Sequence, residues 1–302
     1  QEKHASGHYI QGFVNVHHKE HYQLQDHIAH LGGLPHLEEV IRDHRVEEVI
    51  IALEPYEHKE IGEILNRLSL MDLRISAIPS MTDILSGRVK STTIFDTPLL
   101  EVSHELMPVW QANLKQISDI ILSATAMILL LPLEIFLVLG VKLSSPGPVF
   151  YRQERIGRYG KPFKIFKFRS MCKDAETNGP ELSSKNDNRV TKFGSFMRKH
   201  RLDEIPNFIN VIRGEMSLVG PRPERRYFIE KITDIAPHYI HLHKVKPGIT
   251  SWGQVKYGYA ENVEQMIKRL RYDLLYIENM SLFVDLKILF YTVATIIRGR
   301  GV

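Results

Sequence analysis

Ile120-Ile121-Leu122-Ser123-Ala124-Thr125-Ala126-Met127-Ile128-Leu129-Leu130-Leu131-Pro132-Leu133-Glu134-Ile135-Phe136-Leu137-Val138-Leu139-Gly140-Val141 is an almost wholly apolar run. Whether it crosses a membrane settles what kind of protein this is. As a straight helix it is long enough to span the roughly 30 Å of bilayer hydrocarbon. The wider run, Ile117 to Leu143, is interrupted only by Ser118, Asp119, Ser123, Thr125, Glu134 and Lys142. Two residues argue against a simple crossing. Pro132 lies near the middle, where it removes a hydrogen bond and bends the helix. Glu134 is a costly charge at a bilayer centre unless the segment turns back and lifts it toward water. A kinked, re-entrant hairpin accommodates both. An ordinary transmembrane helix is the competing reading.

The flanks differ sharply in charge. The 302-residue chain has a formal net charge of only +4, but residues 1–100 carry 9 Lys and Arg against 15 Asp and Glu, a net of −6. Residues 142–201 carry 15 against 5, a net of +10. A basic block beside an apolar run fits an anionic membrane surface, a phosphorylated substrate, or both. Nucleic acid would suit the charge, yet no helix-turn-helix, zinc-finger or RNA-binding signature accompanies it, and no nucleic-acid partner is expected. One cysteine, Cys172, rules out an internal disulfide framework and is compatible with a reducing cytosol. The sequence starts at Gln1 with no signal-peptide pattern and reads as part of a longer chain. It holds no internal repeat and no low-complexity tract.

Upstream, residues 8–100 read as α/β. Tyr9 to Val16 alternates like a strand, and a helix begins at Leu37 after the Gly32-Gly33-Leu34-Pro35 turn. Glu48 to Leu53 is a short apolar run of the kind found in buried parallel strands. A helix from about Lys59 to Leu70 and a strand from Leu73 to Pro79 follow. This is the later part of a doubly wound nucleotide-binding-like domain, with its first strand and any Gly-x-Gly-x-x-Gly loop absent. A regulatory or structural role is therefore expected rather than nucleotide binding. Eight of the fifteen histidines fall within the first 36 residues, including His17, His18 and His21, at spacings that match no metal motif. His241 and His243 are read the same way. Ser91 to Asn113 is periodic in no state and is expected to bridge the domains.

Downstream, Ser144-Ser145-Pro146-Gly147-Pro148 is a turn, and a strand-like piece starts at Val149. Arg152, Arg155, Arg158, Lys161, Lys164, Lys167 and Arg169 follow, interleaved with Phe163, Ile165, Phe166 and Phe168. Such a run is commonly a solvated face; beside an insertion segment it is suited to lipid headgroups and phosphates. Residues 174–192 are polar and read as a loop near the mouth of a site.

Arg201-Leu202-Asp203-Glu204-Ile205-Pro206 comes next. Apolar residues recur at Ile205, Phe208, Ile209 and Ile212, the spacing of a helix with one buried face. Pro206 is tolerated only in a first turn, which places the helix start near Leu202 or Asp203. Two adjacent carboxylates then sit where orphan amides and the helix dipole favour negative charge. One could attack phosphorus while the other holds a metal; an N-cap Asp followed by a solvated Glu is the alternative. Gly214 reads as the helix stop. Pro221-Arg222-Pro223 is a stiff loop whose guanidinium suits two phosphate oxygens, or simply a structural turn. Lys246 to Val255 is a turn followed by a strand, Val263 to Glu278 is helical, and Met280 to Ile297 is an apolar helix ending in Arg298-Gly299-Arg300. That last helix fits the membrane interface or the core.

From about Asn113 to Val302 the chain resembles the bacterial sugar transferase family, the monotopic polyprenyl-phosphate sugar-1-phosphate transferases. The residues that carry the likeness are Lys167-Phe168-Arg169-Ser170-Met171, Leu202-Asp203-Glu204-Ile205-Pro206-Asn207, Met216 to Pro223, Lys246-Pro247-Gly248-Ile249-Thr250, and Tyr272 to Asn279 with Asp285-Leu286-Lys287. Residues 8–100 resemble the nucleotide-binding-like domain of the family's larger members. The resemblance implies three parts: a truncated Rossmann-like domain at 1–100, a linker and re-entrant membrane helix at 101–143, and a mostly α, monotopic catalytic domain at 144–302.

The reaction it implies moves a sugar 1-phosphate from a UDP-sugar to a polyprenyl phosphate and releases UMP, as the first membrane step of exopolysaccharide, O-antigen or capsule assembly. Asp203 would be the nucleophile and Glu204 a Mg²⁺ ligand. Lys167, Arg169, Arg198 and Arg222 would bind phosphate, with Asp273 and Asp285 as acidic support and Pro132 as the membrane break. Phospholipid contact at the cytoplasmic face of the inner membrane and a homodimer are further expectations. Two departures stand out: Leu131-Pro132 replaces the family's usual Ser-Pro, and Ser251-Trp252-Gly253-Gln254 its Gly-Trp-Ala-Gln.

Elementary chemistry agrees with such a reaction. The oxygens of a pyrophosphate repel nucleophiles, so Mg²⁺ and Arg or Lys must neutralise charge. A carboxylate nucleophile would divide the transfer into two displacements. Both ends of the membrane segment must then face the cytosol, as a hairpin allows. The competing function is a membrane-associated scaffold that binds nucleotide and acidic lipid without catalysis. A soluble Rossmann oxidoreductase is excluded by the missing cofactor loop and the long apolar segment.

Overall fold

A computed structural model describes residues 9–18, 21–53, 57–71, 73–79, 100–101, 106–172, 187–258 and 260–297. Most of the loop expected over 174–192, much of the bridging stretch from Ser91, and the basic tail at Arg298 lie outside the described residues. The chain divides into two compact units, Gln1–Glu105 and Leu106–Val302.

In the first unit, β1 (Phe13–Asn15) runs parallel to β2 (His30–Gly33). A single 3-10 turn (Leu34–His36) leads into α1 (Leu37–Asp43). Then come β3 (Glu48–Ile51), α2 (His58–Leu68), β4 (Arg74–Ala77) and the short β5 (Leu100–Glu101). β3 and β4 pair in parallel, Glu48 opposite Arg74 through Ile51 opposite Ala77, with α2 as the crossover. Leu37, Ile41, Ile51, Ile64, Leu68 and Ile75 form the core between strands and helices. Arg67 pins α2 to the turn before α1. It donates to the carbonyls of Leu34 (2.7 Å) and Pro35 (2.9 Å) and to both oxygens of Glu38. Among the described residues the strands of this unit fall into two sheets, and β5 joins β4 antiparallel.

The second unit opens on α3 (Val109–Leu129) and α4 (Leu131–Ser144), bent against each other by 66°. The helix therefore begins before Asn113, inside the stretch expected to be a linker. The bend lies where Pro132 was expected to put it. Pro132 has no N–H to give, and its ring would meet the carbonyl one turn earlier. Helix resumes at once, with Glu134 N donating to Leu130 O at 2.8 Å. Leu137 and Val141 turn inward onto Phe168, Met197 and Ile205. Ile121, Ile128, Leu129, Leu139 and Leu143 are exposed. Among the described residues no single helix is long and apolar enough to cross a membrane, whereas the bent pair together passes by length and composition.

Next comes an antiparallel hairpin, β6 (Phe150–Ile156) against β7 (Pro162–Phe168), with Tyr151 opposite Lys167. α5 (Lys192–Lys199) is capped by the Thr191 hydroxyl, which accepts from Gly194 N. A 3-10 turn (Leu202–Glu204) precedes α6 (Asn207–Ile212), and Gly214, at φ +77, ends it as expected. β8 (Ser217–Val219) and β9 (Gly248–Thr250) pair in parallel around α7 (Arg226–Ile235) and a 3-10 segment (Pro237–Lys244). α8 (Trp252–Lys256), α9 (Val263–Glu278) and α10 (Leu282–Ile297) close the chain. Trp252 thus starts a helix, where the sequence read as a strand; the Ser251 hydroxyl accepts from Gln254 N and caps it. α10 buries Ile288 and Asp285, while Phe283, Leu286, Phe290 and Val293 on other faces stay exposed.

Candidate active site

The carboxylate pair sits in the 3-10 turn before α6, not in the helix itself, with Pro206 at the N-cap. Arg201, at φ 54, makes the left-handed step that starts the turn. Asp203 and Glu204 are both buried, at 8% and 7% exposure. The face of α6 that the apolar spacing picked out is not the deep one. Ile212 is 39% exposed, whereas Asn207, Asn210 and Val211 lie at 2% or less. Asn210 explains the exchange. Its Oδ1 accepts from Phe166 N (3.1 Å), and its Nδ2 donates to Lys164 O (2.8 Å) and Glu215 Oε2 (2.7 Å). A polar latch thereby fixes the turn against β7, where buried apolar residues flank Lys167.

Three cations meet on Glu204. Lys167 Nζ lies 2.8 Å and Arg222 Nη2 3.1 Å from Oε1, and Arg201 Nη1 lies 3.5 Å from Oε2. The loop that carries Arg222 is held at both ends. Gly248 N donates to Pro221 O at 2.8 Å, and Ile156 N donates to Glu224 O at 3.0 Å. Lys167, Arg222, Glu204, Arg155 and Asn207 line one small pocket.

The electrostatics separate the two acids. Burial alone would raise the pKa of Glu204, but Lys167, Arg222 and Arg201 overcome it and hold the group well below the usual carboxylate range. Asp203 moves the other way. Burial raises it, Lys167 opposes, and the neighbouring Glu204 charge raises it further; Arg198 and Arg222 pull it down less. One acid is thus fixed as an anion and the other is more basic than an ordinary aspartate. Burial also lowers Lys167, against the pull of Glu204. Among the described residues, no group of three or more His, Cys, Asp and Glu converges as a metal cluster.

Of the other residues singled out from sequence, Arg198 faces Asp203 and donates through Nε to Ser170 Oγ at 2.9 Å. Arg169 is engaged through one nitrogen: its Nη2 donates to Ser145 O (2.6 Å) and Oγ (3.0 Å), in room left by Gly147 at φ +129, while its Nε and Nη1 are buried without a partner. Asp273 sits apart from the pair, accepting from Gly253 N at 2.9 Å and facing Arg269. Arg269 reaches Glu224 (2.8 Å), and Glu224 reaches Arg155 (3.1 Å), so a buried chain of charges runs from α9 to the pocket. Asp285 belongs to another cluster, with Lys115 Nζ at 2.6 Å and Tyr276 OH at 2.7 Å. In that cluster Lys115 also donates to Val219 O (3.1 Å), and Asp119 accepts from Ser217 Oγ (2.5 Å). Sequence reasoning assigned no site role to Arg155, Asn207, Glu224, Arg269 or Lys115. Arg155 carried a signal as one member of the basic run, and Asn207 as the last residue of the Leu202 to Asn207 stretch that carries the family likeness.

Comparison with known proteins bears on this arrangement. The pattern of the CoA-binding domain family matches residues 1–79, and that of the bacterial sugar transferase family matches residues 110–299. A UDP-N-acetylgalactosamine-undecaprenyl-phosphate N-acetylgalactosaminephosphotransferase of Aeromonas hydrophila is 38% identical over 242 residues, 80% of this chain and 56% of its own. A UDP-glucose:undecaprenyl-phosphate glucose-1-phosphate transferase of Escherichia coli K12 is 37% identical, covering 87% of this chain and 57% of its own. An exopolysaccharide production protein of Rhizobium leguminosarum bv. phaseoli is 36% identical over 195 residues, 62% of this chain and 98% of its own. The chain thus spans little more than half the length of the first two. With 190 of its 302 residues inside the matched pattern and these identities, the chain belongs to the bacterial sugar transferase family.

Proposed function

We propose that this chain is a phosphotransferase that moves a sugar 1-phosphate from a UDP-sugar to a polyprenyl phosphate. The observation that carries the reading is the buried Asp203–Glu204 pair, with its unequal acids, against Lys167, Arg198 and Arg222. In the first displacement an Asp203 oxygen attacks the phosphorus that bears the sugar. The bond from that phosphorus to the bridging oxygen breaks, and UMP leaves with the electron pair. In the second, an oxygen of polyprenyl phosphate attacks the same phosphorus, and the Asp203 carboxylate departs unchanged. Its raised basicity makes Asp203 the better nucleophile, while Lys167 and Arg222 hold the phosphoryl oxygens as charge builds.

Glu204 also suits Mg²⁺ arriving with the donor. That ion commonly takes one or two carboxylates and completes its shell with phosphate and water, and Glu204 is firmly ionised. Glu204 would hold it, and it would neutralise diphosphate charge.

In the same reading, the bent α3–α4 pair enters the cytoplasmic leaflet and returns, making the protein monotopic on the inner membrane, with exposed apolar residues of α10 against phospholipid. The first unit, which matches the CoA-binding domain family over residues 1–79, is read as an α/β module beside the catalytic unit in sequence. Relatives named for exopolysaccharide production and for undecaprenyl-phosphate transfer support placing the reaction at the start of a surface-glycan assembly line.

The test is Asp203→Asn, assayed in detergent with UDP-sugar, Mg²⁺ and polyprenyl phosphate. UMP release should fall by at least about 10³-fold, with donor binding retained and no phosphosugar adduct on the protein by mass. Sustained turnover, with deamidation excluded, would refute the covalent role. No UMP from the unaltered protein with any UDP-sugar would favour a non-catalytic scaffold.

A further inference from the structure

The pocket around Glu204 contains two buried polar atoms that lack partners, and they are of opposite sense. Arg155 Nε is a donor without an acceptor, and Asn207 Oδ1 is an acceptor without a donor. The other N–H groups of Arg155 are engaged: Nη1 with Pro223 O (3.2 Å) and Glu224 Oε2 (3.1 Å), Nη2 with Gln153 Oε1 (2.7 Å). Asn207 is 2% exposed, so solvent does not relieve its carbonyl oxygen. It is the first residue of α6, four positions after Asp203 and three after Glu204. Native proteins leave few such atoms buried and unpaired, and each needs a physical account.

The ligand's chemistry follows from the mismatch. Lys167, Arg222 and Arg155 offer N–H groups, which anionic oxygens satisfy. A diphosphate alone brings only acceptors and leaves Asn207 Oδ1 unpaired. A sugar phosphate brings both, since its hydroxyls donate.

We propose that Asn207 is a specificity-determining residue, its carboxamide oxygen accepting a hydrogen bond from a hydroxyl of the sugar whose phosphate rests on Lys167, Arg222 and Arg155. The inference rests on the phosphotransfer reading above. It assigns the Asn207 side of the pocket to the sugar half of the donor, not to the uridine.

The experiment compares the full chain with Asn207→Ala on the preferred UDP-sugar and on its monodeoxy analogues, following UMP release. For one analogue the unaltered protein should lose about 10- to 100-fold in kcat/KM. Asn207→Ala should lose a similar factor on the parent sugar and nothing further on that analogue. The inhibition constant of UMP and the half-saturating Mg²⁺ concentration should stay unchanged. A thermal shift with UMP establishes that the variant is folded. If it is not, Asn207→Gln, which keeps the amide and moves it by one methylene, should change the order of preference among the sugars. An equal loss on every analogue, no loss at all, or a shift in UMP or Mg²⁺ affinity overturns the assignment. Failure of the unaltered protein to release UMP from any sugar would sink the phosphotransfer reading and this inference with it.

Discussion

Lys167 is the residue on which both acids depend. It bonds Glu204 directly, and its charge opposes the rise in the pKa of Asp203. A nucleophilic carboxylate works only when ionised, so the rate should climb with pH through the raised pKa of Asp203 and flatten above it. Replacing Lys167 with methionine removes a cation that favours the ionised form. The acid limb of log(kcat/KM) should then move to higher pH by about one unit or more. The plateau should also fall by about 100-fold, because a phosphate donor is lost. A limb that stays in place would show that Asp203 is not the group being titrated. The neighbouring asparagines show where residue-level reading ran out. Hydrophobic spacing located the turn and its acids but chose the wrong face of α6, because Asn210 is buried for its hydrogen bonds rather than its hydrophobicity. A pattern rule that counts only apolar residues has no means of finding such a latch.

The bend between α3 and α4 was legible as elements go, because Pro132 and Glu134 mark it. What holds it was not, because the partners Phe168, Met197 and Ile205 lie far along the chain. A straight helix would carry Pro132 in its interior at about 3 kcal/mol, a cost that changing Pro132 to alanine removes. It would also uncover those three side chains to water at about 2 kcal/mol each. Drawing Glu134 and Lys142 into hydrocarbon would add about 3 kcal/mol for each charge. Packing therefore wins. In a Cys172→Ser background, Pro132→Ala should leave a cysteine placed at Ser144 accessible to an impermeant reagent from the same face as one placed at Val109. Labelling from opposite faces would make the proline the sole cause of the bend. A second joint ties α3 to the body of the unit through Lys115, which meets Asp285 at 2.6 Å and Asp119 at 3.8 Å. Lys115→Met leaves two buried carboxylates without their cation, at about 3 kcal/mol. For a unit of this size that is a loss of about 6–12 °C in Tm. The pKa of Asp285 is already raised by burial, so without Lys115 it takes up a proton more readily. A carboxyl with a raised folded pKa gains stability as pH falls, so the deficit should narrow toward acid pH. A deficit independent of pH would show that lost packing, not charge, is responsible.

At the scale of the whole molecule, the two units keep separate cores. Leu37, Ile41 and Leu68 belong to one, and Val219, Ile232, Leu270 and Ile277 to the other. The residues assigned to the reaction, from Lys167 through Arg222, all fall between Leu106 and Val302. The Rhizobium relative aligns over 98% of its own length while covering only 62% of this chain, so a protein of roughly the second unit's size stands alone in this family. A unit with its own core and its own site is expected to fold alone. A fragment of residues 106–302, purified in the same detergent, should therefore melt cooperatively and release UMP with kcat/KM within about threefold of the full chain. The first unit's acidic character makes a finer point. Residues 1–105 carry 9 Lys and Arg against 17 Asp and Glu, a net charge of −8, which repels an anionic donor weakly and over a distance limited by salt. Removing it should raise the rate at low ionic strength, if it changes it at all, and the gain should vanish at about 0.15 M salt. A folded but inactive fragment would overturn the expectation and make the first unit a component of the catalytic machinery.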